Sequence, residues 1–268
     1  MAIEPSVSDT VTFKNRKGQS MKPVCLVIGA GAGIGGTVGA KFAREGYHSV
    51  LCRRTGQEGL DQLVASIKRD GGSATGVLLN AIEPDTIEDQ VAAVEADIGP
   101  IEVAVYNLGS QVGDRGLSAT SYKTFEMGWR LATFGLFRLA SALCPLMVGR
   151  GHGTLLVTSA TAAVRGNRGQ HSHAASMGGR RMLCQTLNAE LGPQGIHIAH
   201  ILIDGAVDAP DTLGKMLGPE RYHELRETRG MEHDGLMLPE KIADTYFHLA
   251  HQHRSTWTHE SDLRSFSD

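Results

Sequence analysis

A glycine-rich stretch near the start of the chain restricts its fold more strongly than any other feature. Residues 28–36 read Ile-Gly-Ala-Gly-Ala-Gly-Ile-Gly-Gly and directly follow an apolar run over residues 23–27. A strand that ends in such a turn and opens a helix presents free backbone N–H groups and the positive end of the helix dipole. Because a second apolar strand follows at the expected distance, the pattern predicts a binding site for the pyrophosphate of a dinucleotide.

The glycines of this turn have separate expected roles. Gly29 makes the tight turn, Gly33 lets the backbone approach a phosphate, and Gly35 lets the helix pack closely against the strand. The residues of the turn that we expect to contact the cofactor are Gly29, Gly31, Gly33, Ile34 and Gly35.

Strands and helices alternate along most of the chain. The predicted strands cover about residues 23–28, 48–53, 74–79, 102–106, 154–158 and 196–203. The predicted helices cover about residues 35–45, 60–67, 86–98, 121–148, 170–191 and 240–250. Short, almost continuous apolar strands separated by helices indicate a parallel sheet that is buried on both faces. We therefore predict an α/β fold, a Rossmann-type doubly wound parallel sheet, in a single domain over residues 21–268.

The segments outside this alternation carry expectations of their own. Residues 1–20 are polar and lack the apolar core of a secretory signal, so we expect a flexible N-terminal extension. Residues 208–239 are rich in Gly, Pro, Met and charge, and they would lie beyond the carboxyl edge of the sheet. They predict either a substrate lid, which is the favoured interpretation, or an ordinary pair of surface helices. We expect the tail over residues 253–268 to cover a neighbouring subunit.

Composition argues against several classes of partner and site. The net charge of −3 gives no indication of nucleic acid or of an anionic membrane surface, and no apolar run approaches the roughly 20 residues of a membrane span. The four cysteines lie in apolar segments without metal-ligand spacing. His248, His251 and His253 lie close together, but no carboxylate or cysteine completes a known metal spacing. We therefore expect a cytoplasmic protein with reduced thiols and no metal site.

Two arginines stand where the second predicted strand ends. A carboxylate at this position would bond a ribose 2′-hydroxyl and repel a 2′-phosphate, but the chain has Arg53 followed by Arg54. Guanidinium groups bind a phosphate through paired hydrogen bonds. The sequence therefore predicts NADP rather than NAD as the cofactor, the alternative being two arginines that are simply solvated at a strand end.

Together with the glycine turn, three further motifs resemble the short-chain dehydrogenase/reductase family. They are Asn80 after the third strand, residues 106–109 (Tyr-Asn-Leu-Gly) after the fourth, and Asp204-Gly205 after the sixth. The resemblance covers about residues 22–210. It implies a single Rossmann domain with a seven-stranded parallel sheet.

The resemblance also implies cofactor contacts outside the glycine turn. Asn80 would contact the adenine, Asn107 would stabilise the sheet beside the cofactor, and Val207 would meet the nicotinamide carboxamide through its backbone. The cofactor-binding residues implied in this way are Asn80, Asn107, Gly109, Asp204, Gly205 and Val207.

The four catalytic positions of that family are all substituted in this chain. The family uses a Tyr as the acid, a Lys four residues later, a Ser thirteen residues before the Tyr, and an Asn on the long helix. Those positions hold, in the same order, His173, Met177, Ala160 and Ala132. No shift of the alignment restores the motif, because there is no tyrosine between residues 122 and 222 and no lysine between residues 123 and 215.

The altered site retains groups that can handle a proton. An imidazole group ordinarily titrates near pH ~6.5, so His173 is a competent general acid or base without a lysine. Ser159 is the second catalytic candidate, because its hydroxyl and that of Thr158 could orient a substrate oxygen if the end of the strand is rotated. Arg181 could reach the nicotinamide ribose. The opposing interpretation is that His173 only fills the space of a lost tyrosine.

Two functions from different classes follow from these residues. The first is an NADP-linked oxidoreductase that acts on the carbonyl or alcohol group of a small molecule through a non-standard site. The second is a pseudoenzyme that acts as a scaffold or as the inactive partner of an active paralogue; a lyase or isomerase is a third, less favoured class. Trp129 and Phe134 on the long apolar helix indicate a homo-oligomer, a dimer or tetramer, or a hetero-oligomer with such a paralogue.

Overall fold

Seven parallel strands form the centre of the computed structural model, which describes residues 13–14, 20–109 and 116–266. The strands are β1 Val24–Ile28, β2 His48–Arg53, β3 Ser73–Leu78, β4 Ile101–Tyr106, β5 Gly153–Ala160, β6 Ile196–Asp204 and β7 Glu260–Arg264. Their order across the sheet is β3-β2-β1-β4-β5-β6-β7, and every neighbouring pair is parallel. The predicted Rossmann-type α/β fold is therefore confirmed.

Helices cover both faces of this sheet. They are α1 Ile34–Arg44, α2 Gln57–Arg69, α3 Thr86–Asp97, α4 Tyr122–Arg150, α5 His171–Leu191, α6 Pro219–Arg229 and α7 Pro239–Ala250. Buried side chains of α3, α4 and α5 share one core cluster, and those of α1, α2 and α7 share the other. Helices on both faces are what a sheet of almost continuously apolar strands requires.

Strand β1 shows how the sequence supplies both cores. All five of its residues are buried, with Val24, Leu26 and Ile28 in one cluster and Cys25 and Val27 in the other. Successive side chains of a strand point to opposite faces, so a strand that is covered twice needs an apolar residue at every position.

The seventh strand of the sheet is not among the strands predicted from the sequence. Residues 260–264 read Glu-Ser-Asp-Leu-Arg, and none of these side chains is fully buried. The segment is an edge strand that pairs only with β6, so it lacks the apolar pattern of the other six. The tail that we expected to cover a neighbouring subunit therefore completes the sheet of its own chain.

The N-terminal segment lies mostly outside the described residues. Phe13–Lys14 and Ser20–Met21 form a two-stranded antiparallel pair, and residues 1–12 and 15–19 are not described. The expectation of a flexible extension over residues 1–20 stays a prediction.

Helix α4 is long and apolar enough, by length and composition, to cross a membrane. It is also a core helix, because Leu136, Leu139, Leu143 and Met147 are buried against the sheet. No other helix in the described part of the chain passes that length and composition test.

Candidate active site

The carboxyl ends of β1 and β4 form the crevice where the order of the strands reverses. This is the place at which open α/β sheets bind ligands. A cavity of about 470 Å³ lies there. The predicted cofactor-binding residues that line it are Gly29, Gly31, Gly33, Ile34, Gly35, Arg53, Arg54, Asn80, Asn107, Gly109 and Val207.

Close backbone contacts explain two glycines of the turn. Gly29 has φ +103°, and a Cβ atom there would lie 2.8 Å from the carbonyl oxygen of Asn107. A Cβ atom on Gly35 would collide with the carbonyl oxygen of Gly29. The Asn107 side-chain amide donates to that same oxygen at 2.9 Å and joins the end of β4 to the turn. These positions agree with the predicted tight turn at Gly29 and the close helix–strand approach at Gly35.

Gly31 and Gly33 have different surroundings. A Cβ atom on Gly33 would lie 3.2 Å from the Cβ atom of Ala209, so that glycine accommodates the segment after β6. A Cβ atom on Gly31 would have no atom within 4 Å, although Gly31 lines the cavity. The open space that a phosphate could enter therefore lies beside the backbone of Gly31. The sequence analysis had instead assigned the close approach of a phosphate to Gly33.

Arg53 and Arg54 lie at the rim of the cavity, where β2 ends. The Arg53 guanidinium extends over the start of α2, since Cβ atoms on Gly56 and Gly59 would each lie 3.2 Å from its terminal nitrogens. Neither arginine forms an ion pair within the described part of the chain. Both charges are therefore available to an anion in the cavity.

Two predicted contacts have side-chain partners of their own. The Asn80 amide nitrogen donates to Glu83 at 2.8 Å, and its amide oxygen accepts from the backbone N–H of Ile82 at 3.5 Å. The Asp204 carboxylate accepts from the Thr161 hydroxyl and pairs with Arg264 at 3.3 Å. Asp204 is not among the residues that line the cavity, so the structure does not bring it together with the other predicted residues.

A second cavity of about 410 Å³ adjoins the first and shares Asn107, Leu108 and Gly109 with it. Its remaining wall comes from the end of β5, the start of α5 and the end of β6. These lining residues are Thr158, Ser159, Ala160, Thr161, Ala162, Asn167, Gln170, His173, Met177, Arg180, Ile203 and Gly205. Both predicted catalytic residues, His173 and Ser159, therefore lie in one cavity beside the predicted cofactor site.

The hydroxyl groups of Ser159 and Thr158, both predicted to orient the substrate, point to opposite faces of the sheet. The Ser159 hydroxyl faces α5 and donates to the sulfur of Met177 at 3.8 Å. The Thr158 hydroxyl bonds Tyr246 on α7 at 2.8 Å, on the opposite face of the sheet. The suggestion that Thr158 orients a substrate oxygen is therefore wrong, because adjacent strand residues point to opposite faces.

Arg181 is also directed away from the cavity. Its guanidinium forms two hydrogen bonds with the Glu260 carboxylate on β7, at 2.6 and 2.7 Å. The suggestion that Arg181 reaches the nicotinamide ribose is wrong for this reason.

Arg180 is the site residue that the sequence analysis overlooked. Its side chain is buried, with 1% of its surface exposed, and it lines the second cavity. It donates to three carbonyl oxygens: Nε to Ala132 at 2.8 Å, Nη1 to Thr158 at 2.5 Å, and Nη2 to Leu108. Burial lowers the pKa of the guanidinium. Position 180 lies seven residues after His173, which is two helical turns and the same face of α5.

A π-helical segment of α4 supplies one of those carbonyl groups. The segment covers Arg130–Phe134, and such segments free backbone groups from regular helical bonds. The Leu131 carbonyl accepts from the Tyr106 hydroxyl at 2.5 Å, and the Ala132 carbonyl accepts from Arg180. Two buried polar side chains thus satisfy the opened part of the helix.

None of the chain's described tyrosines lines the second cavity. Tyr106 is bonded to α4, and burial raises the pKa of its phenol. The Tyr222 hydroxyl donates to Asp208 at 2.5 Å, and burial together with that bond raises its pKa to about 12. Tyr122 is 95% exposed on the surface of α4. No other phenol replaces the missing one.

The segment after β6 closes part of the cofactor cavity. Val207 pairs with Met237, and Ala209 and Thr212 line the cavity beside the glycine turn. Asp208 accepts from Tyr222 and pairs with Arg226 at 3.3 Å, which fastens α6 to this segment. The start of the 208–239 segment therefore borders the nucleotide cavity, and its role as a substrate lid stays a prediction.

Within the described residues, no group of three or more His, Cys, Asp or Glu side chains could hold a metal ion. His251, one of the grouped histidines, instead packs on Phe247 with ring centres 4.1 Å apart. The four cysteines are buried and unbridged.

The fold and its two cavities place the chain in the Rossmann-type class of α/β proteins, and comparison with known proteins identifies the family. A family model described as short chain dehydrogenase matches residues 23–212. The chain belongs to the short-chain dehydrogenase/reductase family. Membership of this family and similarity to reductases support an oxidoreductase of the short-chain type that acts on carbonyl or alcohol groups.

Two curated relatives match most of the chain. The short-chain reductase protein NovJ of Streptomyces niveus is 31% identical over 234 residues, which are 86% of this chain and 88% of the relative. The 3-oxoacyl-[acyl-carrier-protein] reductase FabG of Thermotoga maritima is 28% identical over 85% of this chain and 89% of its own length.

Solved structures agree with the fold. A short-chain dehydrogenase from Rhodopseudomonas palustris has a TM-score of 0.75 and 30% identity, over 91% of this chain and 99% of that one. The L-sorbose reductase of Gluconobacter frateurii, solved with NADPH and L-sorbose, has a TM-score of 0.79 at 22% identity over 91% of this chain and 96% of that one. At that identity the second likeness supports the fold alone.

Proposed function

We propose that this protein is an NADP(H)-linked oxidoreductase that interconverts a carbonyl and an alcohol group of a small molecule through a non-standard active site. The observation that carries the proposal is the pair of adjoining cavities, one with Arg53 and Arg54 at its rim and the other with His173 in its wall. A cavity for the nucleotide and a proton-transferring group beside it are the two parts that such a reaction needs.

Cofactor preference follows from charge at the end of β2. The two arginines have no carboxylate partner within the described residues, and a 2′-phosphate would supply one. Arg53 is already extended over the start of α2, so little side-chain freedom is lost on binding. We therefore favour NADP over NAD.

His173 has the acid–base role in this proposal. When bound, the cofactor supplies or accepts the hydride at the substrate carbon. His173 donates a proton to the substrate oxygen in the direction of reduction and accepts it in the direction of oxidation. Ser159 lies in the same wall and orients that oxygen with its hydroxyl group. The ring of His173 exchanges one proton with solvent in each turnover.

Titration of the purified protein with NADPH and with NADH, followed by cofactor fluorescence, tests the cofactor assignment. We expect tighter binding of NADPH by about ten- to a hundredfold, because a charged hydrogen bond contributes roughly 1.5–3 kcal/mol. Equal affinities, or no binding of either nucleotide, would remove the argument from Arg53 and Arg54.

A second candidate is a pseudoenzyme that serves as a scaffold or as the inactive partner of a catalytic paralogue. The observation that favours it is Met177 in the cavity wall, where an apolar thioether contacts the Ser159 hydroxyl at 3.8 Å in place of a lysine. If the pseudoenzyme interpretation is correct, no carbonyl compound oxidises bound NADPH and a paralogue purifies with the chain.

We propose further that the protein forms a homo-oligomer through α4. Trp129 and Phe134 stack with ring centres 5.4 Å apart, and 44% and 39% of their surfaces are exposed. Phe125 and Phe137 extend this exposed aromatic face. A patch of this kind on a helix favours burial against a second copy.

The four buried thiols fit a cytoplasmic location.

A further inference from the structure

A buried cation without a counter-ion forms part of the wall of the second cavity. Arg180 is 1% exposed, and no carboxylate pairs with it among the residues that the structure describes. The Glu260 carboxylate pairs with the adjacent residue, Arg181, rather than with Arg180. A buried charge without a charged partner is costly, and an anionic ligand would offset that cost.

Two N–H groups of the Arg180 guanidinium have no acceptor among the described residues. Of its five N–H groups, three are used by the carbonyl oxygens of Ala132, Thr158 and Leu108. One N–H remains on each terminal nitrogen, which is the pair of donors that a carboxylate takes from an arginine. The three backbone bonds hold the group rigidly, so a ligand does not need to order it.

The chemistry of the remaining wall agrees with an anion. The cavity is lined by Thr161, Asn167, Gln170 and His173 as well as Arg180, and its lining residues include no Asp and no Glu. Leu108, whose carbonyl binds Arg180, lines both cavities. The cation therefore lies near the junction at which the proposed reaction takes place.

We propose that Arg180 binds a carboxylate group of the substrate, so that the protein acts on oxo acids or hydroxy acids rather than on neutral ketones or alcohols. This inference rests on the proposed function, because it assigns the substrate class of the same cavity. In the productive complex the carboxylate neutralises Arg180, and the reacting oxygen of the same molecule lies toward His173.

Calorimetric titration with malonate tests the anion site without any turnover. We expect one malonate bound per chain in the wild-type protein, with and without NADP, and no binding of the neutral analogue malonamide. Arg180→Met should lose the site, and Arg180→Lys should weaken it at least tenfold because a lysine cannot make the paired contact. Arg181→Met is the matched control, since it removes the same charge one residue away, and it should bind malonate as the wild type does.

Turnover of matched substrates supplies the second readout. With NADPH, the wild-type protein should reduce 2-oxobutanoate with a kcat/KM at least tenfold above that for butanone, and Arg180→Lys should reduce this preference.

The inference is overturned if the wild type binds malonate no better than malonamide, or if butanone is reduced as well as 2-oxobutanoate. In the second case the proposed function stands. If NADPH does not bind and neither compound is reduced, the proposed function fails, whereas the malonate titration still decides whether the anion site exists.

Discussion

Two neighbouring arginines on α5 have opposite surroundings. Arg180 is buried among three backbone carbonyl groups, whereas Arg181 is 30% exposed at its side chain and pairs with Glu260. Sequence reasoning selected Arg181 because it lies one turn beyond Met177. Both arginines lie at helical spacing from His173 and Met177, so spacing alone does not separate them, and only their contacts in the structure do.

The catalytic substitutions show the opposite case, in which sequence alone was sufficient. The absence of a tyrosine between residues 122 and 222 follows from the sequence without any alignment, and no described phenol enters the cavity. The sequence could not show that the Thr158 hydroxyl faces α7, because that depends on where β5 ends. The predicted strand ended at residue 158, and the observed strand continues to Ala160.

Removal of either arginine at the end of β2 should weaken NADPH binding selectively. We expect Arg53→Gln and Arg54→Gln each to lower the affinity for NADPH by about tenfold or more and to leave that for NADH unchanged, since a charged hydrogen bond contributes about 1.5–3 kcal/mol. Fluorescence titration of both nucleotides measures the two effects. Arg69→Gln, at the far end of α2, is the control, and an equal loss for both nucleotides would contradict the 2′-phosphate assignment.

At the scale of elements, the π-helical segment of α4 and the edge strand β7 are the features that the hydrophobic pattern did not contain. The first depends on Tyr106 and Arg180, which lie far from α4 in the sequence and bond its carbonyl groups. The second is a polar strand that forms only because β6 presents an open edge. The other strands and the main helices were predicted with their ends close to the observed ones, because their apolar periodicity is strong.

Glycine substitutions on α4 test the packing of the π-helical segment. A Cβ atom on Gly135 would collide with the Tyr106 hydroxyl, whereas one on Gly149 would have no atom within 4 Å. Gly135→Ala should therefore lower the free energy of unfolding by about 1–3 kcal/mol, and Gly149→Ala should raise it by up to roughly 1 kcal/mol. Urea unfolding measures both changes. Equal effects of the two variants would show that the contact with Tyr106 is unimportant.

The burial of His200 on β6 should make stability depend on pH. His200 is buried beside Glu260, with Nδ1 3.1 Å from the carboxylate, and burial lowers its pKa to about 4. The unfolded chain takes up a proton near pH ~6.5, whereas the folded chain does not until about pH 4. Stability is therefore present above the unfolded pKa and is lost as the pH falls toward the folded pKa.

We expect the free energy of unfolding to fall by about 2 kcal/mol between pH 7 and pH 5 through this histidine. Urea unfolding of wild type and His200→Gln at both pH values isolates the effect, because glutamine at position 200 does not titrate. A variant with the same pH dependence as the wild type would rule out His200 as the cause.

At the scale of the whole molecule, the sheet order and the exposed face of α4 determine what the chain can assemble. The chain crosses from β3 at one edge to β4 beside β1, which creates the nucleotide crevice, and the end of β5 with α5 creates the second cavity. Both follow from the alternation of strands and helices, so the location of the site could be predicted from sequence. The substrate could not, because the groups of the second cavity come from four separate segments.

The oligomer proposal is tested by placing a charge on the aromatic face of α4. Half of the surface of Phe137 is exposed there. We expect Phe137→Glu to convert an oligomer into smaller species in sedimentation velocity, because burying an unpaired carboxylate at an interface is unfavourable. Leu117→Glu, at a residue that is 78% exposed outside α4, should leave the assembly unchanged. A wild-type protein that sediments as a monomer would contradict the proposed homo-oligomer.

In the proposed function, His173 performs the proton transfer that a tyrosine performs elsewhere in the family. Single-turnover oxidation of bound NADPH by a panel of carbonyl compounds, including 2-oxo acids, tests it most directly in wild type and His173→Phe. We predict oxidation by the wild type with at least one compound and a rate at least about a hundredfold lower in the variant, with NADPH affinity unchanged. Equal rates in the two proteins, or no oxidation by the wild type with any compound, would contradict the claim.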